Sequence, residues 1–170
     1  MNILTLSDSH GSSSLMSDVI NILQDEIDMV LFMGDCVDDF MDFEHIFPEK
    51  KFHYVSGNCD FNHREPSERL IEVAGKKIFL THGHNFGVKA GHIRLMAEAL
   101  RRKANICLYG HSHSPAAFLE QGIYFMNPGS ISLPRDCDYP TFGVINVEND
   151  AVRLSIMGVQ AGKVLTHFRL

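Results

Sequence analysis

The sequence lacks several features that would assign it to a familiar class of protein. No two of its four cysteines stand at C-x-x-C spacing, which excludes a zinc ribbon and a thioredoxin-type redox motif. No apolar run approaches the ~18 residues of a membrane-spanning helix, and Asp8 interrupts the first apolar run, so we expect no signal-peptide core. We therefore expect a cytoplasmic protein with reduced thiols and no membrane partner.

The sequence also lacks an excess of positive charge. Its formal net charge is −6 and its pI is about 5.9, which argues against general binding to nucleic acid or to anionic membranes. A small phosphorylated substrate remains compatible with this charge, because bound divalent cations would reverse the local field. There is no internal repeat, low-complexity segment or linker, and 45% of the 170 residues are hydrophobic. We expect a single domain spanning residues 1–170.

Five short apolar runs are each followed by Asp, Asn or His. The clearest is Met29 to Met33, which leads into Gly34 and Asp35 and is typical of a strand buried on both faces of a parallel sheet. The other four runs end at Asp8-Ser9-His10, Gly57-Asn58, His82 and Gly110-His111-Ser112-His113. Each ending alone is an ordinary turn. Five endings in oxygen or imidazole ligands favour a metal site where the strands converge.

The pattern along the chain predicts a mixed α/β fold. The first third is typical of β-α-β-α-β, with helical periodicity from Leu15 to Ile27 behind possible Ser N-caps, and again from Phe40 to Phe47. A hairpin is predicted across Ala74-Gly75-Lys76, and a helix over 88–103 with Ile93, Met96 and Leu100 on one face. The last third is rich in strands. We predict two mixed β-sheets packed face to face and flanked by helices.

The ligand types suit this interpretation in different ways. Asp8 and His10 are two apart and can face one ion in extended chain, and His111 and His113 can each offer a neutral ring nitrogen. A carboxylate such as Asp35 can bridge two cations, whereas the Asn58 amide helps only beside charged ligands. The alternatives are a capped turn at Asp8 and exposed histidines in a polar loop.

These residues occur in the order Asp8-x-His10, Gly34-Asp35, Gly57-Asn58, His82 and Gly110-His111-x-His113. This ordered set, spanning residues 4–130, resembles the calcineurin-like metallophosphoesterases, whose fold is a two-sheet sandwich flanked by helices. Gly57-Asn58-Cys59-Asp60, Leu80 to His84 and Asn127-Pro128-Gly129-Ser130 make it most similar to the small YfcE-like phosphodiesterases.

The resemblance implies two divalent metal ions. One would be held by Asp8, His10, Asp35 and His113, and the other by Asp35, Asn58, His82 and His111. Asp35 would bridge them, and the resemblance implies Asp35, Asn58 and His82 as catalytic residues. Such a pair of ions activates a bridging hydroxide, which attacks phosphorus in line. The ligand set suits Mn²⁺, with Fe, Zn²⁺ or Ni²⁺ as alternatives.

One position departs from the family. Many members carry His directly after the Asn, where it can protonate the leaving group, but this chain has Cys59. A thiol is a poorer general acid for an alkoxide, so Cys59 favours substrates with an acidic leaving group. His84 or His63 could supply the proton instead. Arg64 and Arg135 are further candidates for holding the substrate.

The resulting hypothesis is a phosphodiesterase acting on a small phosphorylated substrate. The alternatives are a phosphomonoesterase, a non-catalytic protein-binding scaffold like the retromer subunit of the same family, or an unrelated α/β domain with scattered histidines. The sequence leaves the oligomeric state open, a homo-oligomer included.

Overall fold

The structure is a computed structural model that describes residues 1–61, 64–160 and 163–170. The helices within these ranges are α1 (Ser13–Leu23), α2 (Asp38–Met41), α3 (Phe43–Ile46) and α4 (Ile93–Arg101), and a 3-10 turn spans His84–Phe86. The first strands are β1 (Asn2–Leu6), β2 (Met29–Phe32), β3 (Lys51–Tyr54), β4 (Glu68–Val73), β5 (Lys76–Thr81) and β6 (Ile106–Leu108). The remaining strands are β7 (Ala116–Glu120), β8 (Ile123–Asn127), β9 (Thr141–Glu148), β10 (Ala151–Gln160) and β11 (Lys163–Arg169). No helix in the described ranges is long and apolar enough to cross a membrane.

The strands form two mixed sheets. The larger sheet has the order β11-β10-β9-β1-β2-β3, in which β1, β2 and β3 are parallel and the other neighbours are antiparallel. The smaller sheet has the order β4-β5-β6-β8-β7, with β5, β6 and β8 parallel. The predicted combination of parallel and antiparallel strands is confirmed.

The two sheets pack face to face and the helices cover their outer faces. Apolar side chains from both sheets fill the layer between them. A second layer joins the larger sheet to α1, α2 and α3, and a third joins the smaller sheet to α4. The predicted sandwich flanked by helices is therefore confirmed.

Strand β2 shows why an unbroken apolar run was needed. Met29 and Leu31 face the layer between the sheets, whereas Val30 and Phe32 face the helices. Because side chains alternate along a strand, a strand covered on both sides has no position for a polar residue. Polarity can return only after the strand ends, and it does so at Asp35.

Two helical predictions are wrong in detail. Helix α4 begins at Ile93 rather than at residue 88, because Gly91 just before it has a φ of 143° that no helix accommodates. Its buried side chains are Leu95 and Ala99, whereas Ile93 is 75% exposed, so the predicted packing face is incorrect. The helix predicted over 40–47 is two four-residue helices that meet at Asp42.

The predicted capping of α1 also differs. Ser12 occupies the N-cap position, but its side chain makes no capping hydrogen bond. The hairpin is confirmed, with Ala74 and Gly75 as a two-residue turn between β4 and β5 in which both residues have positive φ.

Candidate metal centre

The loops that follow five parallel strands converge at one edge of the sandwich. Adjacent strands β1, β2 and β3 lead to Asp8 and His10, to Asp35 and to Asn58; adjacent strands β5 and β6 lead to His82, His111 and His113. Asp8, His10 and His113 form one group whose potential ligand atoms all lie within 4.8 Å of one another, and Asp35, His82 and His111 form another. Asn58 Oδ1 lies 3.2 Å from His82 Nε2, so the structure brings together all seven residues proposed as metal ligands.

The first group is arranged around the carboxylate of Asp8. Its Oδ1 atom lies 3.3 Å from His113 Nε2, which in turn lies 3.3 Å from His10 Nε2. His113 Nδ1 lies 2.7 Å from the carbonyl oxygen of Leu133, and donation there leaves Nε2 with a lone pair in neutral imidazole. Asp8 Oδ1 is buried and accepts no hydrogen bond from the described residues.

The second group is arranged around the imidazole of His82. Its Nδ1 atom lies 2.7 Å from the carbonyl oxygen of Met33, which orients the ring and directs Nε2 into the group. That Nε2 lies 3.2 Å from His111 Nδ1 and 3.2 Å from Asn58 Oδ1. The amide oxygen of Asn58 thus joins the two imidazoles.

Asp35 lies between the two groups. Its Oδ2 atom is 3.4 Å from His82 Nε2 and 3.8 Å from His10 Nε2, so one carboxylate oxygen borders both. Its Oδ1 atom accepts the backbone N–H of Cys59 at 2.8 Å, which fixes the orientation of the carboxylate.

The donor set fits divalent cations. In each group, ring nitrogens and carboxyl or amide oxygens face one another at distances of 3.2–3.4 Å. The buried Asp8 Oδ1 accepts no hydrogen bond from the described residues. Neutral imidazoles and ionised carboxylates are lone-pair acceptors, and several of them converging on one point need a positive charge to satisfy them. Nitrogen and oxygen ligands suit Mn²⁺, Fe and Zn²⁺ alike.

In the second group, the pKa values of Asp35 and His82 depend on one another. Burial alone would raise the pKa of Asp35, but the hydrogen bond and charge of His82 outweigh it and lower that pKa below its usual range. Burial would lower the pKa of His82, but Asp35 and Asp8 raise it. Burial and the charges of His82 and Lys89 lower the pKa of His111 to about 4. His111 is therefore neutral at pH 7.

The first group shows one resolved histidine shift. The Asp8 carboxylate, whose Oδ1 lies 3.3 Å from His113 Nε2, raises the pKa of His113, against burial and the nearby charge of Arg135.

Five of the seven residues have backbone conformations in the left-handed region. These are Asp8 at 56°, His10 at 43°, Asp35 at 61°, His111 at 66° and His113 at 61°. Such conformations cost ~1–3 kcal/mol each for residues other than glycine and persist only where the surroundings impose them. The ligand loops are therefore held by contacts elsewhere.

Asp60 supplies one such set of contacts. Its Oδ2 accepts the backbone N–H groups of Asp35 at 3.0 Å and Gly57 at 2.7 Å, and its Oδ1 accepts those of Cys36 and Val37 at 2.8 Å each. One carboxylate thus ties the loop after β2 to the loop after β3. The spacing of Asp60 three residues after Gly57 is the signal in the sequence, but the contacts to residues 35–37 are long-range and could not be predicted from it.

The turn from Asn127 to Ser130 supplies a second set. Asn127 Nδ2 donates to the carbonyl oxygen of Gly110 at 3.0 Å and to Ser112 Oγ at 2.9 Å, and Ser130 Oγ donates to the carbonyl oxygen of Asp8 at 2.7 Å. The sequence predicts a turn at these residues. The structure shows in addition that the side chains of Asn127 and Ser130 position the loops after β6 and β1.

Gly110 is required by close approach rather than by its own conformation. A Cβ atom there would lie 2.0 Å from Ser7 Oγ and 2.8 Å from Asp8 Oδ2. Ser7 Oγ donates to Asp8 Oδ2 at 2.6 Å, so any side chain at position 110 would push the Asp8 carboxylate out of place.

Two of the predicted substrate residues border the centre. His84 Nδ1 is buried without a partner among the described residues, and the ring centroids of His84 and His82 are 5.4 Å apart. Cys59 is exposed, and its sulfur is within 4.8 Å of ligand atoms of His10 and Asp35. Loss of hydration and the Asp35 carboxylate raise the pKa of Cys59 to about 11, so the thiol is protonated at pH 7.

The two arginines differ in what surrounds them. The backbone N–H of Arg135 donates to the carbonyl oxygen of His113 at 3.0 Å, and its exposed side chain borders a cavity beside the loop 111–113. Arg64 is exposed, and no contact with the residues that the structure describes places it at the centre. His63 lies outside the described residues.

Comparison with known proteins gives consistent matches. The model of the calcineurin-like phosphoesterase superfamily domain matches residues 1–150. A probable metallophosphoesterase of Bacillus subtilis, YsnB, is 32% identical over 152 residues, covering 89% of this chain and 87% of YsnB. The phosphodiesterase YfcE of Escherichia coli is 29% identical over 116 residues, covering 63% of this chain and 58% of YfcE.

Solved structures agree with this fold. A predicted phosphoesterase from Streptococcus pneumoniae superposes with a TM-score of 0.80 at 31% identity, covering 98% of this chain and 97% of that one. Vps29 from Entamoeba histolytica, solved with Zn²⁺, gives a TM-score of 0.81 at 23% identity, covering 100% of this chain and 98% of Vps29; this likeness concerns the fold alone. With the family model spanning most of its length, the chain belongs to the calcineurin-like phosphoesterase superfamily.

Proposed function

We propose that this protein is a dinuclear metal-dependent phosphodiesterase. The observation that carries the proposal is the position of Asp35, one carboxylate oxygen of which borders both groups of ligand atoms. Asp8, His10, Asp35 and His113 would hold one ion, and Asp35, Asn58, His82 and His111 the other. Two bound divalent ions supply Lewis acidity toward phosphate oxygens and lower the pKa of water, which provides a nucleophile at neutral pH.

The residues of the chain have distinct roles in this proposal. Asp35 sets the relative position of the two sites, and the contact with Met33 directs His82 Nε2 inward. Asn58 adds a neutral oxygen, which limits the negative charge that a phosphate anion would meet. His84, with its unpartnered Nδ1 close to His82, is placed to contact the substrate or its leaving group.

Cys59 supports a substrate with an acidic leaving group. A protonated thiol with a pKa of about 11 is a weak acid and helps little in the departure of an alkoxide. An aryloxide leaves without such help, whether from a diester or from a monoester. The choice of a diester is supported by the similarity to YfcE, which is named a phosphodiesterase.

The test compares two aryl substrates that share a leaving group. We expect the wild-type protein with Mn²⁺ to hydrolyse bis(4-nitrophenyl) phosphate with a higher kcat/KM than 4-nitrophenyl phosphate. Asp35→Asn should abolish the activity and lower metal content at both sites, whereas Asp150→Asn, at an exposed position, should leave both unchanged. Full activity in Asp35→Asn would refute the dinuclear proposal, and a preference for the monoester would favour a phosphomonoesterase.

We propose Mn²⁺ as the first candidate for the native metal, with Fe, Zn²⁺ and Ni²⁺ as alternatives that the same nitrogen and oxygen donors accommodate. Reconstitution with Mn²⁺, Fe²⁺, Zn²⁺ and Ni²⁺ in turn, followed by metal analysis and rate measurement, decides among them. A purified protein that binds none of these ions would instead favour a protein-binding role.

A further inference from the structure

A cavity of about 480 Å³ lies against the outer side of the loop that carries His111 and His113. Ser112, between the two histidines, lines it, and so does Tyr109 at the start of the same loop. The imidazoles of His111 and His113 belong to the two ligand groups. The cavity and the metal centre therefore share one wall.

Two cationic side chains, Lys89 and Arg135, line this cavity from different segments. Lys89 lies three residues after the 3-10 turn His84–Phe86, and Arg135 lies after the turn that ends at Ser130. Within residues 1–61, 64–160 and 163–170, neither forms an ion pair with an acidic side chain. In a chain with a net charge of −6, two cations that line one cavity and form no ion pair with the described residues indicate a site for an anion.

The surface on the other side of the centre has the opposite character. A pocket of about 280 Å³ beside Cys59 is lined by Asp38, Asp39 and Asp60. An anionic group would be repelled there, so charge directs the anionic part of a substrate toward Lys89 and Arg135.

We propose that the substrate is a phosphodiester with a second anionic group, such as a further phosphate, which binds between Lys89 and Arg135. This inference rests on the proposed phosphodiesterase function and adds the substrate class. Ser112 provides a hydroxyl group along the cavity wall for the same group. Asp136 is the one acidic residue among the described residues that line the cavity, and its carboxylate accepts the hydrogen bond that Ser114 Oγ donates at 2.5 Å.

The experiment uses two diesters with the same leaving group and different charge. We expect the wild-type protein to prefer 4-nitrophenyl 2-phosphonoethyl phosphate over 4-nitrophenyl ethyl phosphate in kcat/KM. Lys89→Ala and Arg135→Ala should each reduce this preference roughly three- to fivefold, as expected for partly exposed charge pairs, and the double variant should abolish it. Rates on the ethyl diester should stay within about twofold of wild type, because that substrate has no group for the cavity.

Two further variants test whether the preference for the phosphonate diester is electrostatic. Asp136→Asn should increase the preference, since it removes the acidic residue among those lining the cavity. Arg153→Ala, which removes an exposed cation on β10 away from the centre, should leave the preference unchanged. Added salt should reduce the preference in the wild type.

A binding measurement separates this inference from the proposed function. Calorimetry with methyl 2-phosphonoethyl phosphate and ethyl methyl phosphate compares affinities for diesters that lack the activated leaving group. If neither aryl diester is hydrolysed but Lys89 and Arg135 still favour the phosphonate ligand, the phosphodiesterase proposal fails and the anion site stands. The anion site would be overturned if the two aryl diesters had equal kcat/KM and the two calorimetry ligands equal affinity. A preference retained in the Lys89→Ala, Arg135→Ala double variant would overturn it as well.

Discussion

Replacing Asp60 by Asn tests whether one carboxylate holds the strained loop that presents Asp35. The two oxygens of Asp60 accept four backbone N–H groups, two each. Asn keeps the size of the side chain but has a single acceptor oxygen and an NH₂ group. In either orientation of the amide, two of the four N–H groups lose their acceptor and face a donor.

The magnitude follows from these contacts. Leaving a buried donor without an acceptor costs ~1–3 kcal/mol, so two such donors give about 2–6 kcal/mol of lost stability. Asp60 is only 9% exposed, which limits compensation by water. The loop is already strained, because Gly34, Asp35 and Cys36 all have positive φ angles, of 87°, 61° and 72°. It therefore depends on the hydrogen bonds to Asp60 to keep its conformation. A loss of this size is a large part of the ~5–15 kcal/mol that stabilises a typical domain.

Urea unfolding with and without Mn²⁺ measures the effect. We expect Asp60→Asn to lower the free energy of unfolding by about 2–6 kcal/mol and to weaken metal binding at both sites, since Asp35 borders both. Asp150→Asn is the matched control, because that carboxylate is 94% exposed and forms its ion pair with Lys76 at the surface. An Asp60→Asn protein with wild-type stability and metal affinity would show that the loop is held in some other way.

Three other predictions concern the metal centre. Cys59→His should raise kcat/KM on an alkyl phosphomonoester more than on an aryl diester; equal effects in samples that retain metal would show that Cys59 does not limit the leaving group. Metal affinity should fall from about pH 7 to pH 5, because protons compete for His82, whose pKa is raised, and calorimetry in buffers of different ionisation enthalpy should detect proton release. Gly110→Ala should lower metal occupancy at the Asp8 site, since its Cβ would lie 2.0 Å from Ser7 Oγ; unchanged occupancy would mean that the loop adjusts freely.

The sequence by itself determined the layer structure and the chemical types at the site. The run from Met29 to Met33 can be accommodated only where both faces of a strand are covered, so it predicts a sandwich whose polar residues follow the strand ends. Because neighbouring parallel strands end at one edge, Asp35 and the other predicted ligands come together without further information. Order along the chain was therefore enough to identify the candidate ligands.

Only the tertiary structure decided how the centre is held and what lies around it. The packed face of α4 could not be read from periodicity, because Leu95 and Ile93 are equally apolar and position in the fold alone selects Leu95 for burial. Asp60 is an ordinary polar residue in the sequence. Its hydrogen bonds to residues 35–37 join segments far apart in the chain, and the geometry of such contacts is set by how the strands pack. Local pattern cannot encode that geometry, since each residue's own neighbours in sequence are not the groups it binds.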